Sequence, residues 1–195
     1  MSNAPDLKSP FFKYLVAHNR PHLDNFKQWI FLPGMLFNSS EKWWGNQGRR
    51  VTPHEGLDLC SFEDIDGKQK TLDRHTKIPA AFAGEIVKID PDFLGQSIHI
   101  SHEIFDECGR QLYSAYGHTA PLDSLQIGSR VAEGETIAVI SDFSGKKLAI
   151  LPHVHITFAW IPVPIADHDL NWANLGKNAG ITLIDPLSVL KLDSP

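Results

Sequence analysis

The 195-residue chain is poor in cysteine, with only Cys60 and Cys108. Two thiols make no disulfide framework, which excludes a small stapled scaffold, and they are too few for a cysteine-rich structural zinc finger. Two buried thiols are expected. No apolar run approaches the roughly 20 residues that a membrane-spanning helix needs. There is no block of five like charges, no internal repeat and no low-complexity segment. The formal net charge of -5 offers no cationic surface to nucleic acid or to an anionic membrane. Met1 to Pro10 is polar, and the apolar stretch that follows is short and broken by Lys13, so no leader is visible in the chain. What remains is ordinary globular composition, 42% hydrophobic and 21% charged, in a length that suits one domain with at most an arm.

Residues 1–45 differ in texture from the rest and are read as an N-terminal arm, with 46–195 as the main domain. In the arm, Phe11, Phe12, Leu15 and Val16 fall near one helical face, which predicts a short helix ending at His18. A second helix is expected over His22 to Phe31, after Pro21. Leu32-Pro33-Gly34 signals a turn, and Trp43 to Gly48 reads as an aromatic loop. From Pro53 to Trp160 the pattern becomes short strands separated by turns at Pro79, Pro91, Gly95, Gly109, Gly128 and Gly134. Strands are expected at Gly84–Asp90, Ser97–Ser101, Leu112–Tyr116, Thr136–Ser141 and His153–Trp160. The fold class is therefore mainly β, an antiparallel open sandwich or half-barrel, with short helices in the arm and at the C-terminus. Pro186 suits the first position of that last helix.

Ten histidines are present. His18, His22, His75, His99, His102 and His168 lie in polar or mixed surroundings and are read as surface or structural groups. The other four keep different company. His153 and His155 sit two apart in an alternating run whose apolar members are Val154, Ile156 and Phe158, so both imidazoles share one strand face with Thr157. Pro53-His54-Glu55-Gly56-Leu57-Asp58-Leu59 is not the helical His-Glu-x-x-His motif: position 58 is Asp, and Pro53 and Gly56 disfavour a helix interior. Fully extended, residues 54 and 58 would stand about 13 Å apart, whereas two ligands of one zinc each approach it to about 2 Å. The chain must bend between them, and Gly56 permits the bend. Glu55, the neighbour of His54 on an extended segment, points away from it and is the weaker candidate for a base. Tyr116-Gly117-His118 closes a strand.

Together these pieces resemble the lysostaphin/LytM-type zinc endopeptidases, which cut peptide cross-links of bacterial cell walls. The family order is His-x-x-x-Asp, Tyr-x-His, His-x-His. Here it reads His54 and Asp58, Tyr116-Gly117-His118, and His153-Val154-His155. Gly48-Arg49-Arg50, Gly56-Leu57-Asp58-Leu59, Gly84-Glu85-Ile86-Val87, the Gly128–Ile140 step and Asp185-Pro186 are similar to the flanking family pattern. The approach to His153, Asp142 to Pro152, departs from the Gly/Ser/Thr-rich form usual in the family. The resemblance implies an open β sandwich with a long groove, and one zinc per chain held by His54, Asp58 and His155. It further implies His118 and His153 as the catalytic pair, a peptidoglycan or other peptide substrate, and a place in the cell envelope, periplasmic or extracellular.

Two His and one carboxylate leave zinc a net charge of about +1 and an open fourth position, the donor set of a catalytic site. Trp43, Trp44, Asn46 and Tyr116 are expected to wall the groove, and Asn46 is close enough in sequence to reach the open position and keep the site latent. The alternative from a different class is a catalytically silent relative of the same fold that binds and activates another wall hydrolase.

Overall fold

The computed structural model describes residues 7–143, 149–165, 170–175 and 180–192. The chain opens with helix α1 (Phe11–His18), whose apolar positions Phe11, Phe12 and Leu15 are buried. Asn19 ends it. Its Nδ2 donates to Leu15 O at 2.7 Å and to Lys77 O at 2.9 Å, and its Oδ1 accepts from Lys77 N at 2.7 Å. One side chain thus caps the helix and fastens it to the main body.

The second arm helix is not formed. Residues 26–30 are strand β1 (Phe26–Ile30), paired antiparallel with β3 (Ser61–Asp64). The i, i+3 spacing of Phe26 and Trp29 suggests a helix, but a bulge at Lys27 supplies the extra residue. Phe26 then opposes Asp64 and Trp29 opposes Phe62, so both rings fall on one face of the ladder. There they pack with Phe62, the Phe26 and Trp29 centroids 4.7 Å apart. The expected turn at Leu32–Gly34 is a single 3-10 turn, Pro33–Met35. β4 (Gln69–Thr71) completes this three-stranded sheet.

The second sheet carries the candidate site residues. It contains β2 (Leu57–Leu59), β5 (Lys77–Pro79), β6 (Gly84–Pro91), β7 (Gln96–Phe105), β8 (Gln111–Pro121), β9 (Arg130–Val131), β10 (Thr136–Ile140), β11 (Val154–Ile161) and β12 (Thr182–Ile184). Its order runs β12-β11-β8-β7-β6-β9, with β2 beside β11 and β10 joining β5 to β8. Every pairing is antiparallel and the sheet does not close into a barrel, as the strand and turn pattern implies. Helix α2 (Trp172–Leu175) and helix α3 (Pro186–Val189) follow β11. Asp185 Oδ1 accepts from Leu187 N at 3.0 Å to cap α3, with Pro186 at its first position.

One cluster of buried side chains joins arm and sheet: Phe11, Phe12 and Leu15 pack with Ile98, Ile100, Leu112, Tyr116, Ile156 and Phe158. Burying such side chains contributes about 1.5–3 kcal/mol each, so the arm is part of the domain's core.

Two of the histidines assigned to mixed surroundings are fully inside. His99 is buried beside Asp90 at 3.3 Å. His102 is buried with Nδ1 2.9 Å from Ala83 O and Nε2 2.8 Å from Ser114 Oγ. A carbonyl only accepts, so Nδ1 carries the proton and Nε2 accepts the Ser114 hydroxyl. His168 lies outside the described residues. Both thiols are free, but only Cys60 is buried; Cys108 is exposed because it rides the turn between β7 and β8.

Burial pushes the His102 imidazole down to about 4, against a smaller opposing effect of its bond to Ala83. A folded-state value below the unfolded one means that the unfolded chain binds the extra proton. Stability from this group is complete above about pH 6.5 and is lost as pH falls toward 4, with a slope approaching 1.4 kcal/mol per pH unit. Denaturant unfolding of the metal-free protein at pH 7, 6, 5 and 4 is expected to show this fall. A His102→Gln variant, whatever its overall stability, should show a shallower slope by about one proton; an unchanged slope would remove His102 as its source.

Candidate metal centre

Strand pairing brings the sequence motifs together. β2 lies against β11 with Asp58 opposite His155, and β8 lies on the other side of β11 with Gly117 opposite His155. Opposed residues share a face, so the Asp58 carboxylate and the His155 ring meet directly, Oδ1 to Nδ1 at 2.8 Å. Gly56 makes the bend that returns His54 to the same spot. A Cβ at Gly56 would fall 2.3 Å from Ile156 O and 2.8 Å from His155 Nε2, so only glycine lets the backbone pass this close. His54 Nε2 ends 3.3 Å from Asp58 Oδ1 and 3.1 Å from His155 Nδ1.

His54, Asp58 and His155 are all buried, with one ligand atom from each lying within 4.8 Å of the others. Their remaining atoms are occupied in ways that aim those ligand atoms inward. His54 Nδ1 donates to Leu36 O at 3.0 Å, which leaves Nε2 as the lone pair. His155 Nε2 lies 2.9 Å from Thr157 Oγ1, which leaves Nδ1. Asp58 Oδ2 accepts from Trp43 Nε1 at 2.7 Å and from Arg50 Nη2 at 3.4 Å, which leaves Oδ1. Two imidazoles and one carboxylate oxygen, each oriented by an outer partner, fit the donor set of a catalytic zinc site.

The electrostatics favour the carboxylate form of Asp58. Burial alone would raise the Asp58 carboxyl, but the surrounding imidazoles of His54, His155 and His153 hold it well below the usual carboxylate range. Burial pushes His155 down, opposed by Asp58. Burial likewise pushes His153 down to about 4, keeping it neutral.

His118 and His153 adjoin this cluster. His153 Nδ1 donates to Leu151 O at 2.8 Å, and its Nε2 stands 4.0 Å from Asp58 Oδ1. The Trp43 ring meets the His153 ring edge-on at 5.0 Å, so one indole braces both Asp58 and His153. The His118 ring centroid is 4.8 Å from that of His153 and 6.1 Å from that of His155.

His118 reaches this face only through a break in its strand. β8 pairs with β11 as far as Gly117 and with β10 from Thr119 onward. Regular alternation would put His118 on the face of Tyr116, in the core. His118 instead has a φ of 64°, a left-handed conformation uncommon outside glycine. Asp92, in the turn between β6 and β7, holds it there: its Oδ2 accepts from His118 N at 2.7 Å and its Oδ1 lies 3.1 Å from His118 Nδ1.

The five polar residues singled out in the sequence therefore converge, with three as a candidate metal cradle and two beside it. The expected groove residues divide. A cavity of about 280 Å³ over the cluster is lined by Trp44, Arg50, Glu55, Phe93, Leu94 and Ile150 together with the imidazoles. Trp44 is in this wall, with the Arg50 guanidinium 4.4 Å over its ring. Trp43 is buried beneath it. Asn46 is not among the residues lining this cavity; its Oδ1 accepts from Gly48 N at 3.3 Å. Tyr116 is not in the groove: it is fully buried and its hydroxyl accepts from Ala81 N at 2.8 Å. The break at His118 separates two residues that a regular strand would keep together. Asp92 was missed. Asp92-Phe93-Leu94-Gly95 reads in sequence as an ordinary Asx turn, with nothing to link it to residue 118. Residues 144–148, in the atypical approach to His153, lie outside the described residues.

The sequence model of peptidase family M23 matches residues 63–166. This chain belongs to that family. The M23 match includes His118, His153 and His155 and begins after His54 and Asp58, which strand pairing adds to the site. Among curated protein sequences none matches. Solved structures of similar fold include CbpA from L. salivarius REN, 16% identical over 84% of this chain and 92% of that one, TM-score 0.47. The NMR solution structure of lysostaphin is 14% identical over 80% of this chain and 53% of that one, TM-score 0.46. Csd3 of Helicobacter pylori is 18% identical over 87% of this chain and 36% of that one, TM-score 0.48. The M23 chain here thus spans about half of lysostaphin and about a third of Csd3.

The Trp43 bond to Asp58 gives a test of the cradle. Outer partners of this type change metal affinity by about 10–100-fold when removed. Trp43→Phe, which keeps the packing against His153 but not the N–H, is expected to weaken zinc binding by that factor in competition with a chromophoric chelator. An unchanged Kd would show that the indole does not orient the carboxylate.

Proposed function

We propose that this chain is a zinc-dependent endopeptidase, with one zinc held by His54, Asp58 and His155, acting on the peptide cross-links of peptidoglycan in the cell envelope. The observation that carries the reading is the arrangement of four imidazoles and one carboxylate around one cavity, each with its outward atom already bonded. A structural metal site would be closed; this cluster offers three ligands and opens onto space lined by Trp44, Phe93 and Ile150.

Bound zinc supplies a Lewis acid and a water acidified to a pKa of about 7. The chain's own residues supply the rest. His153, neutral in its buried place with Nδ1 given to Leu151 O, offers the Nε2 lone pair to orient the attacking water. His118 carries the proton: Nε2 takes it from the water and returns it to the leaving amine nitrogen as the C–N bond breaks. Arg50, paired with Asp58 Oδ2 and stacked on Trp44, keeps a positive charge at the cavity wall, suited to a substrate carboxylate. The apolar wall excludes water from the scissile bond.

The purified protein should carry about one zinc per chain and cleave defined muropeptides or cross-linked peptidoglycan. His155→Ala and Asp58→Ala should lose zinc and activity together. His118→Ala should keep zinc and lose about 10²–10⁴-fold in kcat. A metal-free wild type, or ligand variants as active as the wild type, would sink the reading. Zinc without turnover would instead support the binding and activating role on another wall hydrolase.

A further inference from the structure

The turn between β6 and β7 carries a carboxylate that the hydrolytic reading does not use. The Asp92 side chain is 2% exposed. Its Oδ1 accepts from Leu94 N at 2.8 Å and Gly95 N at 2.7 Å and faces His118 Nδ1 at 3.1 Å. Its Oδ2 accepts from Ser97 Oγ at 2.8 Å and His118 N at 2.7 Å. An Asx turn accounts for the bonds to Leu94 and Gly95. It does not account for the two bonds to His118, 26 residues away on another strand and in a left-handed conformation that the carboxylate directly supports.

We propose that Asp92 is the positioning residue of His118: it holds the residue out of strand register and fixes the ring proton on Nδ1, so that Nε2 faces the cavity as a lone pair. The kinetic part of this rests on the peptidase reading; the tautomer rests on the geometry alone. An ionised carboxylate has no proton to give, so a hydrogen bond at 3.1 Å requires N–H on Nδ1. In the reaction the O–H bond of the attacking water breaks and an Nε2–H bond forms, giving an imidazolium between the cavity and Asp92. The proton then passes to the leaving nitrogen as its bond to carbon breaks. Asp92 stays ionised throughout, and the ring returns to the same tautomer. Without the carboxylate the ring is free to place its proton on Nε2, where it cannot accept another. The backbone at residue 118 is also free to return to regular strand, which turns the side chain toward the core.

The turn that positions His118 also presents Phe93, 65% exposed, and Leu94 to the same cavity. The element that aims the proton carrier is thus also an element of the substrate wall, and a change at Asp92 must be separated from a change in substrate binding.

The test combines kinetics with nitrogen-15 NMR of the histidine rings. In the wild type, zinc-loaded or metal-free, His118 is expected as the Nδ1-protonated tautomer. Asp92→Ala should show Nε2-protonated or mixed His118 signals, with kcat on a defined muropeptide down by about 10²–10⁴-fold, KM within about threefold and zinc content unchanged. Asp92→Asn keeps the turn's acceptor but not the charge, and should fold where Ala does not, with a smaller loss in kcat. Nε2-protonated His118 in the wild type overturns the proposal. So does wild-type kcat in both variants, or a loss confined to KM or zinc content, which would mark Asp92 as a turn residue only. If the wild type turns over no peptide, the peptidase reading falls by itself, and the ring tautomer still decides whether Asp92 sets His118.

Discussion

Asp58 is a buried carboxylate with its charge retained, and a buried charge is costly unless it is surrounded by partners. Its two oxygens divide those partners. Oδ1 faces His54, His155 and, further off, His153; Oδ2 receives the Trp43 indole and the Arg50 guanidinium. Much of the architecture follows from supplying them. β2 must pair with β11 in the register that sets Asp58 against His155. Residue 56 must lack a side chain so that His54 can return. The arm must deliver Trp43, and the segment just after it Arg50, to Oδ2.

The arm is held to that task by several independent contacts. Asn38 N donates to His54 O and His54 N donates to Ser39 O, so the backbone of His54 is itself bonded to the arm. Gly45 N donates to Ala149 O, tying the aromatic loop to the segment ahead of His153. Trp43 packs with Met35 and Cys60. Helix α1 sits in the same core as the larger sheet. The N-terminal residues therefore act on the site through its outer bonds, as supports for Asp58 and His54.

The other side of the cavity depends on a departure from regular structure. A strand that continued through residue 118 would bury that imidazole beside Tyr116. β8 changes partner from β11 to β10 at this residue, and the change frees one peptide unit to take a left-handed conformation. Asp92 supplies the bonds that stabilise it. The cavity between these supports is lined by His118, Phe93, Trp44 and Ile150 among others.

The sequence by itself determined the class of fold, the positions of strands β6, β7, β8, β10 and β11, and the grouping of His54, Asp58, His118, His153 and His155. Alternation of apolar residues and the turn-forming glycines and prolines are local signals, and the order of the polar motifs survives in one dimension. Only the tertiary structure decided what surrounds them. The bulge at Lys27 made a strand of a segment spaced like a helix, because pairing with β3 aligns Phe26 and Trp29. Tyr116 went to the core and His118 to the cavity, although strand periodicity gives them one face, because the backbone turns between them. Asp92, Leu36, Thr157 and Trp43 became the outer partners of the imidazoles and of Asp58. Hydrogen bonds between segments 2 to 26 residues apart along the chain leave no common spacing to read, since their geometry is set by the packing of the whole sheet.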